Sequence, residues 1–243
     1  MPGMKTGNWD RLRRVKKIAL FFILVPGLLA CQRQPQPVSY PFEENIQIFE
    51  QADQKSFPPS DAVLFIGSSS IRLWKTLEED MAPLAVINRG FGGSQAHHVL
   101  HFMDRIVIPY QPRAIVFYEG DNDIAAGKGA QQFIDECRIF ADRVQRRLPG
   151  TPIFFLSIKP SFSRLQFEDQ RREANKLLQE LCDADERLFY IDVSTAMFDE
   201  SGHLRDDIFL NDQLHLNTKG YELWADIVRN ILFSFFNLPL TEE

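Results

Sequence analysis

The chain has 243 residues, a formal net charge of −6 and 44% hydrophobic residues. Residues 1–30 hold six of its 27 basic side chains and one of its 33 acidic ones, so the remainder has 21 basic and 32 acidic groups, a net charge of −11. A surface this acidic argues against a nucleic-acid partner, because phosphates need basic patches. The 213 residues after position 30 can form one sizeable α/β core.

The first thirty residues have the pattern of an export signal. Five basic side chains between Arg11 and Lys17 precede an apolar stretch of 13 residues, 18–30. A bilayer span takes about 20 residues, whereas a stretch of this length matches the apolar region of a signal peptide. It ends Leu-Leu-Ala-Cys at Cys31, which resembles a bacterial lipobox, where the Cys is lipidated after cleavage. A short uncleaved membrane anchor is the alternative.

These features divide the chain into a lipoprotein signal peptide (1–30), a lipidated Cys with a Pro/Gln-rich tether (31–40) and a single domain (41–243). We therefore expect an exported protein that is held in the bacterial cell envelope by a lipid on Cys31. Gln32 rather than Asp follows that Cys, which by resemblance to Gram-negative lipoproteins favours the outer membrane.

Apolar runs alternate with amphipathic stretches along the domain. In chain order they predict a helix over 42–52, a strand over 62–66, a helix over 71–80, a strand over 84–88, a helix over 96–108, a strand over 114–118, a helix over 130–148, a strand over 153–158, a helix over 166–183, a strand over 188–193 and a helix over 218–235. This alternation predicts right-handed βαβ units, and hence an α/β fold with a five-stranded parallel sheet covered on both faces.

Four polar blocks lie where this sheet would bind a ligand, beyond the carboxyl ends of its strands. Gly67-Ser68-Ser69-Ser70 follows the first strand, residues 88–93 follow the second, residues 119–123 follow the third, and Asp212-Gln213-Leu214-His215 precedes the last helix. A serine, hydrogen-bond donors and an Asp/His pair are the groups used in acyl transfer to serine. Together the blocks predict a serine esterase.

The blocks are similar to those of the SGNH, or GDSL-type, hydrolases over about residues 61–232. The family's Gly-Asp-Ser is Gly67-Ser68-Ser69 here, and Phe65-Ile66-Gly67 with the helix after Gly93 most resembles the platelet-activating-factor acetylhydrolase-like branch. The resemblance implies a flavodoxin-like three-layer α/β/α sandwich and hydrolysis of carboxylic esters. No cofactor and no metal are expected, because N–H groups would hold the oxyanion.

Carried over to this sequence, the resemblance makes Ser69 the nucleophile. Ser70 is the alternative, because three consecutive serines leave the register open. The oxyanion hole would consist of the backbone N–H groups of Ser69 and Gly93 and the side-chain amide of Asn122. Gly92 is the alternative to Gly93 as the second backbone donor.

The resemblance also makes His215 the general base and Asp212 the carboxylate that orients it. A three-residue offset lets the chain fold the carboxylate back onto Nδ1 and leaves Nε2 for the serine. Asp199 and His203 form a rival pair.

Other residues could build different sites. His97 and His101 have the i, i+4 spacing of a metal-binding pair but lack the Glu and the third ligand of a zinc protease motif, so we interpret them as polar residues of a helix near the site. Arg89, Glu119 and Lys159 at strand ends could shape a pocket or pair with one another. Cys137 and Cys182 could be bridged or separate buried thiols.

We therefore predict a serine esterase that hydrolyses short acyl esters, above all acetyl esters, of a carbohydrate or lipid through an acyl-enzyme on Ser69. Its partners would be that small-molecule or glycan ester and, through the lipid on Cys31, the membrane. The alternatives are an acyltransferase with the same acyl-enzyme and a non-catalytic lipoprotein that keeps the fold as a binding module.

Overall fold

The computed structural model describes residues 40–239. Its helices and strands, in chain order, are α1 (Glu43–Lys55), β1 (Val63–Gly67), α2 (Ser69–Arg72), α3 (Leu77–Asp80), β2 (Val86–Gly90), α4 (Ala96–Ile106), β3 (Ala114–Tyr118), α5 (Asp121–Ala125), α6 (Ala130–Arg147), β4 (Ile153–Leu156), α7 (Glu168–Asp183), β5 (Leu188–Ile191) and α8 (Thr218–Phe235). Short 3-10 helices lie at Ile108–Tyr110, Phe162–Phe167 and Thr195–Met197.

The five strands form one parallel sheet in the order β2-β1-β3-β4-β5. The chain runs from β1 outward to β2 and then returns past β1 to β3. The strand order therefore reverses between β1 and β3, and ligands of open α/β sheets bind in the crevice at such a switch point. The site blocks that follow β1 and β3 meet there.

Helices cover both faces of the sheet. Leu64 and Ile66 of β1 are buried in one core with side chains of α1, α4, α6 and α7. Val63 and Phe65 of the same strand are buried in a second core with side chains of α3 and α8, Trp224 among them. Because both faces are covered, the three central strands β1, β3 and β4 are buried and largely apolar along their length rather than alternating. The predicted three-layer α/β/α sandwich with a five-stranded parallel sheet is confirmed.

The predicted helix over 71–80 is wrong as one element, because α2 and α3 are two separate four-residue helices. Between them Trp74 turns into the core, where it is 1% exposed and packs on Phe65 and Trp224. Its indole N–H donates to the Asp80 carboxylate at 2.6 Å. Burial of this large ring interrupts the helix that the local periodicity favours.

Helix α5 was not predicted, because its five residues, Asp-Asn-Asp-Ile-Ala, are too few to show an apolar period. It begins after Gly120, whose φ of +110° favours glycine, and Gly120 N–H donates to the Asp123 carboxylate at 3.0 Å. The hydrogen bond at its first turn, rather than the packing of an apolar face, therefore determines where this helix begins.

The two cysteines of the domain are separate buried thiols on α6 and α7. Burial raises the pKa of Cys137 well above its ordinary value and that of Cys182 to about 12. Both thiols are therefore protonated at neutral pH.

The predicted signal peptide, Cys31 and the tether to residue 39 lie outside the described residues and stay predictions. None of the helices within residues 40–239 combines the length and the apolar character that a bilayer crossing requires.

Candidate active site

Ser69 lies two residues after the end of β1, where the chain turns sharply into α2. At Gly67 φ is +146°, and a Cβ there would lie 2.0 Å from the Tyr118 carbonyl oxygen of β3, so only glycine fits. The next amide, Ser68 N–H, donates to that same oxygen at 3.1 Å, and the chain then turns into α2. Ser68 and Ser70 are 2% and 3% exposed, whereas Ser69 is half-buried and lines a cleft. The register of the three serines thus presents Ser69 rather than Ser70.

His215 lies between Ser69 and Asp212. His215 Nε2 is 3.0 Å from Ser69 Oγ, and His215 Nδ1 is 2.6 Å from Asp212 Oδ2. The other carboxylate oxygen, Asp212 Oδ1, accepts from the backbone N–H groups of Leu214 at 3.0 Å and His215 at 2.9 Å. Gln213 has a φ of +56°, which bends the loop so that these bonds can form. The four-residue segment therefore fixes its own Asp/His pair.

The loop also sets the charge of Asp212. Partial burial raises the pKa of this carboxyl, but the hydrogen bonds from the His215 ring and from the two loop amides outweigh it and lower the pKa to about 2. Asp212 is therefore ionised at any pH at which the protein would work. A fixed carboxylate on Nδ1 selects the tautomer in which Nε2 can accept the Ser69 proton.

Two backbone amides are available at the cleft. Within residues 40–239, neither Ser69 N–H nor Gly93 N–H donates a hydrogen bond to another protein group. Gly93 has a φ of +86°, a conformation that favours glycine. Both residues line the same cleft, so their N–H groups can stabilise an oxyanion that forms there.

Asn122 on α5 is the third donor at this cleft. Its side-chain amide donates one hydrogen bond to the Ser94 carbonyl oxygen at 2.9 Å. An amide NH₂ has two hydrogens, so the second remains for a ligand. The Asp123 carboxylate accepts from Ala96 N–H at 3.1 Å and from Gly120 N–H at 3.0 Å. These bonds tie α4 to α5 and hold the loops after β2 and β3 together.

Glu119, at the end of β3, also binds the loop that follows β2. It is 1% exposed, and Ser94 Oγ lies 2.5 Å from its carboxyl. Burial raises the pKa of Glu119 well above its ordinary value, with the negative charge of Asp123 adding to the effect. The strand-end residue therefore binds the loop through Ser94 and does not line the cleft.

The cleft around Ser69, called the Ser69 cleft below, has a volume of about 380 Å³. Its lining residues are Asn45, Ser69, Arg72, Gly92, Gly93, Asn122, Leu214 and His215. Sequence reasoning missed Asn45, which comes from α1 and has no local motif. It also missed Arg72, although a position three residues after Ser69 is one helical turn away and could have been found from that spacing.

His97 belongs to a cluster of ionic side chains instead of lining the cleft. His97, Asp123 and Glu136 offer ligand atoms within 4.8 Å of one another, a spacing that could hold a metal ion. Lys128 Nζ, however, lies 2.9 Å from His97 Nδ1, 2.8 Å from Asp123 and 2.6 Å from Glu136. The ammonium group of the chain itself thus contacts all three candidate ligands.

The remaining sequence candidates pair elsewhere. Asp199 and His203 are 3.9 Å apart, with side chains 49% and 81% exposed, and neither lines the Ser69 cleft. Arg89 forms an ion pair with Asp53 of α1. Lys159 is fully buried and lies 3.4 Å from Asp121. Arg89, Glu119 and Lys159 therefore do not pair with one another.

The sequence profile of the GDSL-like Lipase/Acylhydrolase family matches residues 67–223, a span that includes Ser69 and His215. Among curated proteins, none matches.

Several solved structures share the fold. A Streptococcus pneumonia protein described as a platelet activating factor is 24% identical, with a TM-score of 0.69 over 78% of this chain and 92% of that one. A GDSL-like lipase from Bacteroides thetaiotaomicron is 16% identical, with a TM-score of 0.66 over 79% and 98%. A carbohydrate esterase family 3 protein from Talaromyces cellulolyticus is 16% identical, with a TM-score of 0.59 over 72% and 98%. Identities this low show the fold alone.

Proposed function

This chain is a member of the GDSL-like lipase/acylhydrolase family and hence a carboxylic ester hydrolase, and we propose that it hydrolyses short acyl esters, above all acetyl esters, of a carbohydrate or lipid. The reaction proceeds through an acyl-enzyme on Ser69. The proposal rests on one observation. Hydrogen bonds link Asp212 to His215 and His215 to Ser69, and Ser69 lies in the Ser69 cleft beside three available hydrogen-bond donors.

The first half of the reaction acylates Ser69. His215 Nε2 accepts the hydroxyl proton as Ser69 Oγ bonds to the ester carbonyl carbon, and Asp212 stabilises the imidazolium that forms. The N–H groups of Ser69 and Gly93 and the amide of Asn122 donate to the oxyanion. The C–O bond to the alcohol then breaks, and His215 gives its proton to the departing oxygen.

The second half releases the acid. A water molecule takes the place of the alcohol and gives a proton to His215 as its oxygen bonds to the acyl carbon. The bond from that carbon to Ser69 Oγ breaks, and the proton returns to the serine. Bond changes and protons balance over the two halves, so the net reaction is ester plus water to alcohol plus acid.

The polar lining of the Ser69 cleft supports a short acyl group in the substrate. Leu214 is the only hydrocarbon side chain among its eight lining residues. A long acyl chain needs an apolar trough, since sites for apolar ligands are lined mainly by apolar side chains. Acetyl and similar groups need little apolar contact. The fold shared with a carbohydrate esterase supports a sugar as the alcohol.

A rate profile across nitrophenyl esters of two to twelve acyl carbons, together with acetylated xylan, tests the proposal. We expect the highest kcat/KM with the acetyl ester, a steady fall with chain length, and no turnover by Ser69→Ala. Preference for the longest chain would contradict the short-acyl proposal. Adding a sugar acceptor gives a further outcome, because an acylated sugar formed in place of free acid would identify an acyltransferase.

A further inference from the structure

Arg72 lies where two depressions of the surface meet. It is the last residue of α2, three positions after Ser69, and its exposed side chain lines the Ser69 cleft. The same side chain also lines an adjoining groove of about 380 Å³, together with Trp74, Lys75 and Asn88, called the Trp74 groove below. A molecule bound at Ser69 and extending into this groove must pass the guanidinium of Arg72.

Among residues 40–239, the guanidinium of Arg72 has no acceptor. Its side chain donates no hydrogen bond and forms no ion pair within this range, whereas Arg89, Arg105 and Arg171 each bind a carboxylate. The chain has more acidic than basic side chains, 33 against 27, so carboxylates are not scarce. An arginine with five unused N–H donors beside a cleft can bind a ligand.

The backbone around the proposed oxyanion site accommodates this side chain. A Cβ at Gly92 would lie 2.7 Å from Arg72 Nε and 3.0 Å from its Nη2. The glycine therefore lets the guanidinium lie against the chain next to Gly93. This contact brings a permanent positive charge beside the position of the reacting carbonyl group.

The walls of the two depressions are positive although the protein is acidic. Arg72 is the only permanently charged side chain among the eight residues that line the Ser69 cleft. The Trp74 groove adds Lys75 and one carboxylate, Glu78. Two cations against one anion in a cleft attract anionic ligands, whereas a protein with a net charge of −6 would otherwise repel them.

On the basis of the ester hydrolysis proposed above, we infer that the natural substrate is an acyl ester that carries a carboxylate or a phosphate close to the ester bond. Arg72 binds this anion while the acyl group lies at Ser69 and the rest of the alcohol extends into the Trp74 groove. The planar guanidinium fork binds both carboxylate and phosphate in a bidentate manner, which a lysine cannot do. Arg72 is thus a specificity-determining residue.

Acetyl esters matched except for charge test this inference. One pair is an acetylated methyl glucoside and the corresponding acetylated methyl glucuronoside, and the other is acetylglycerol and acetylglycerol phosphate. We expect Arg72→Gln to lower kcat/KM for the preferred anionic ester by about 10- to 100-fold, mainly through KM, since hydrogen bonds to charged groups are worth this much. The loss on its neutral partner should be at least tenfold smaller.

Further measurements separate charge from shape. Arg72→Lys should recover part of the loss, because it keeps the charge but not the fork. Added salt should raise KM for the anionic ester more than for the neutral one. The pair that responds identifies the anion as carboxylate or phosphate. Arg146→Gln, an exposed arginine at the carboxyl-terminal end of α6 and outside both depressions, is the matched control and should leave all four rates unchanged.

Equal losses on neutral and anionic esters, or no loss on either, would overturn the inference while leaving ester hydrolysis intact. A wild-type enzyme that cleaves only the neutral esters would do the same. A wild-type enzyme that cleaves none of the four esters, or a Ser69→Ala variant as fast as the wild type, would reject the proposed function, and the inference with it.

Discussion

Two clusters of carboxylate and imidazole groups lie near the same edge of the sheet, and they differ in what completes them. In the first, Asp212 binds one nitrogen of His215, and the other nitrogen is 3.0 Å from Ser69 Oγ. In the second, Lys128 lies within 2.9 Å of His97, Asp123 and Glu136. The first cluster ends on a hydroxyl in an open cleft, and the second ends on an ammonium group.

The two clusters also differ in how far their side chains are buried. The Asp212 and His215 side chains are 48% and 23% exposed, whereas Asp123 and Lys128 are 0% and 12% exposed. Hydrogen bonds to the loop lower the pKa of Asp212 to about 2, whereas burial raises the pKa of Asp123 despite its bond to Lys128. An acid–histidine pair is therefore suited to chemistry only where its second nitrogen reaches a group that can react.

The largest effect is expected at the carboxylate of the first cluster. Asp212→Asn should lower kcat by about 10²–10⁴-fold, because an amide can neither favour the required tautomer nor stabilise the imidazolium. The matched control is Asp199→Asn, which alters the other Asp/His pair and should keep the wild-type rate. Steady-state kinetics with an acetyl ester check both. The reverse result would mean that the base is His203 instead of His215.

Asn122 should have the next largest effect. Asn122→Ala removes one donor to the oxyanion, which typically costs about 10²–10³-fold in turnover, while binding of the ground-state ester changes little. Kinetic measurements that separate kcat from KM check this, and the melting temperature shows whether the loss of the bond to Ser94 affects folding. An unchanged kcat would remove Asn122 from the oxyanion hole.

The pH profile follows from the charge of the first cluster. Between pH 8 and pH 5 the rate should depend on protonation of the base alone, because a protonated imidazole cannot accept the Ser69 proton. Asp212 has a pKa of about 2 and stays ionised over this range. The acid limb of log kcat/KM should therefore have a slope of one. A slope of two would mean that a second group must lose a proton.

In the second cluster the expected effect is on stability. Lys128→Met should lower the free energy of unfolding by about 3–5 kcal/mol, because it leaves the buried Asp123 carboxylate without its cation. The matched control is Lys176→Met on the exposed face of α7, where the distance to Glu180 is 3.7 Å and the effect should be within about 1 kcal/mol. Chemical denaturation measures both. Equal effects would show that the buried cluster contributes no more than a surface pair.

The sequence predicted the sheet well because its three central strands, β1, β3 and β4, are buried on both faces. Continuous apolar runs such as 114–118 and 153–156 have little else that they could form, and their strand positions were found to within two residues. Helices were less certain where tertiary contacts override the periodicity. Trp74 interrupts the helix predicted over 71–80, because its ring is buried in the core.

The site was predictable where chemistry depends on neighbours in sequence. Asp212 and His215 are three residues apart, and their loop forms the pair by itself. Asn45 and Arg72 were missed, because the residues that line a cleft depend on how the helices pack in three dimensions. Lys128 was missed for the same reason, because the spacing of His97 and His101 says nothing about an ammonium group from a later loop.

Peptide mass spectrometry after reaction with a fluorophosphonate probe identifies the nucleophilic serine directly. We expect one phosphonyl group per chain, attached at Ser69, with labelling abolished in Ser69→Ala and greatly slowed in Asp212→Asn. Ser70→Ala, the neighbouring buried serine, should still be labelled. Attachment at Ser70 or at a residue outside the Ser69 cleft, or full labelling of Ser69→Ala, would contradict the claim that Ser69 is the nucleophile.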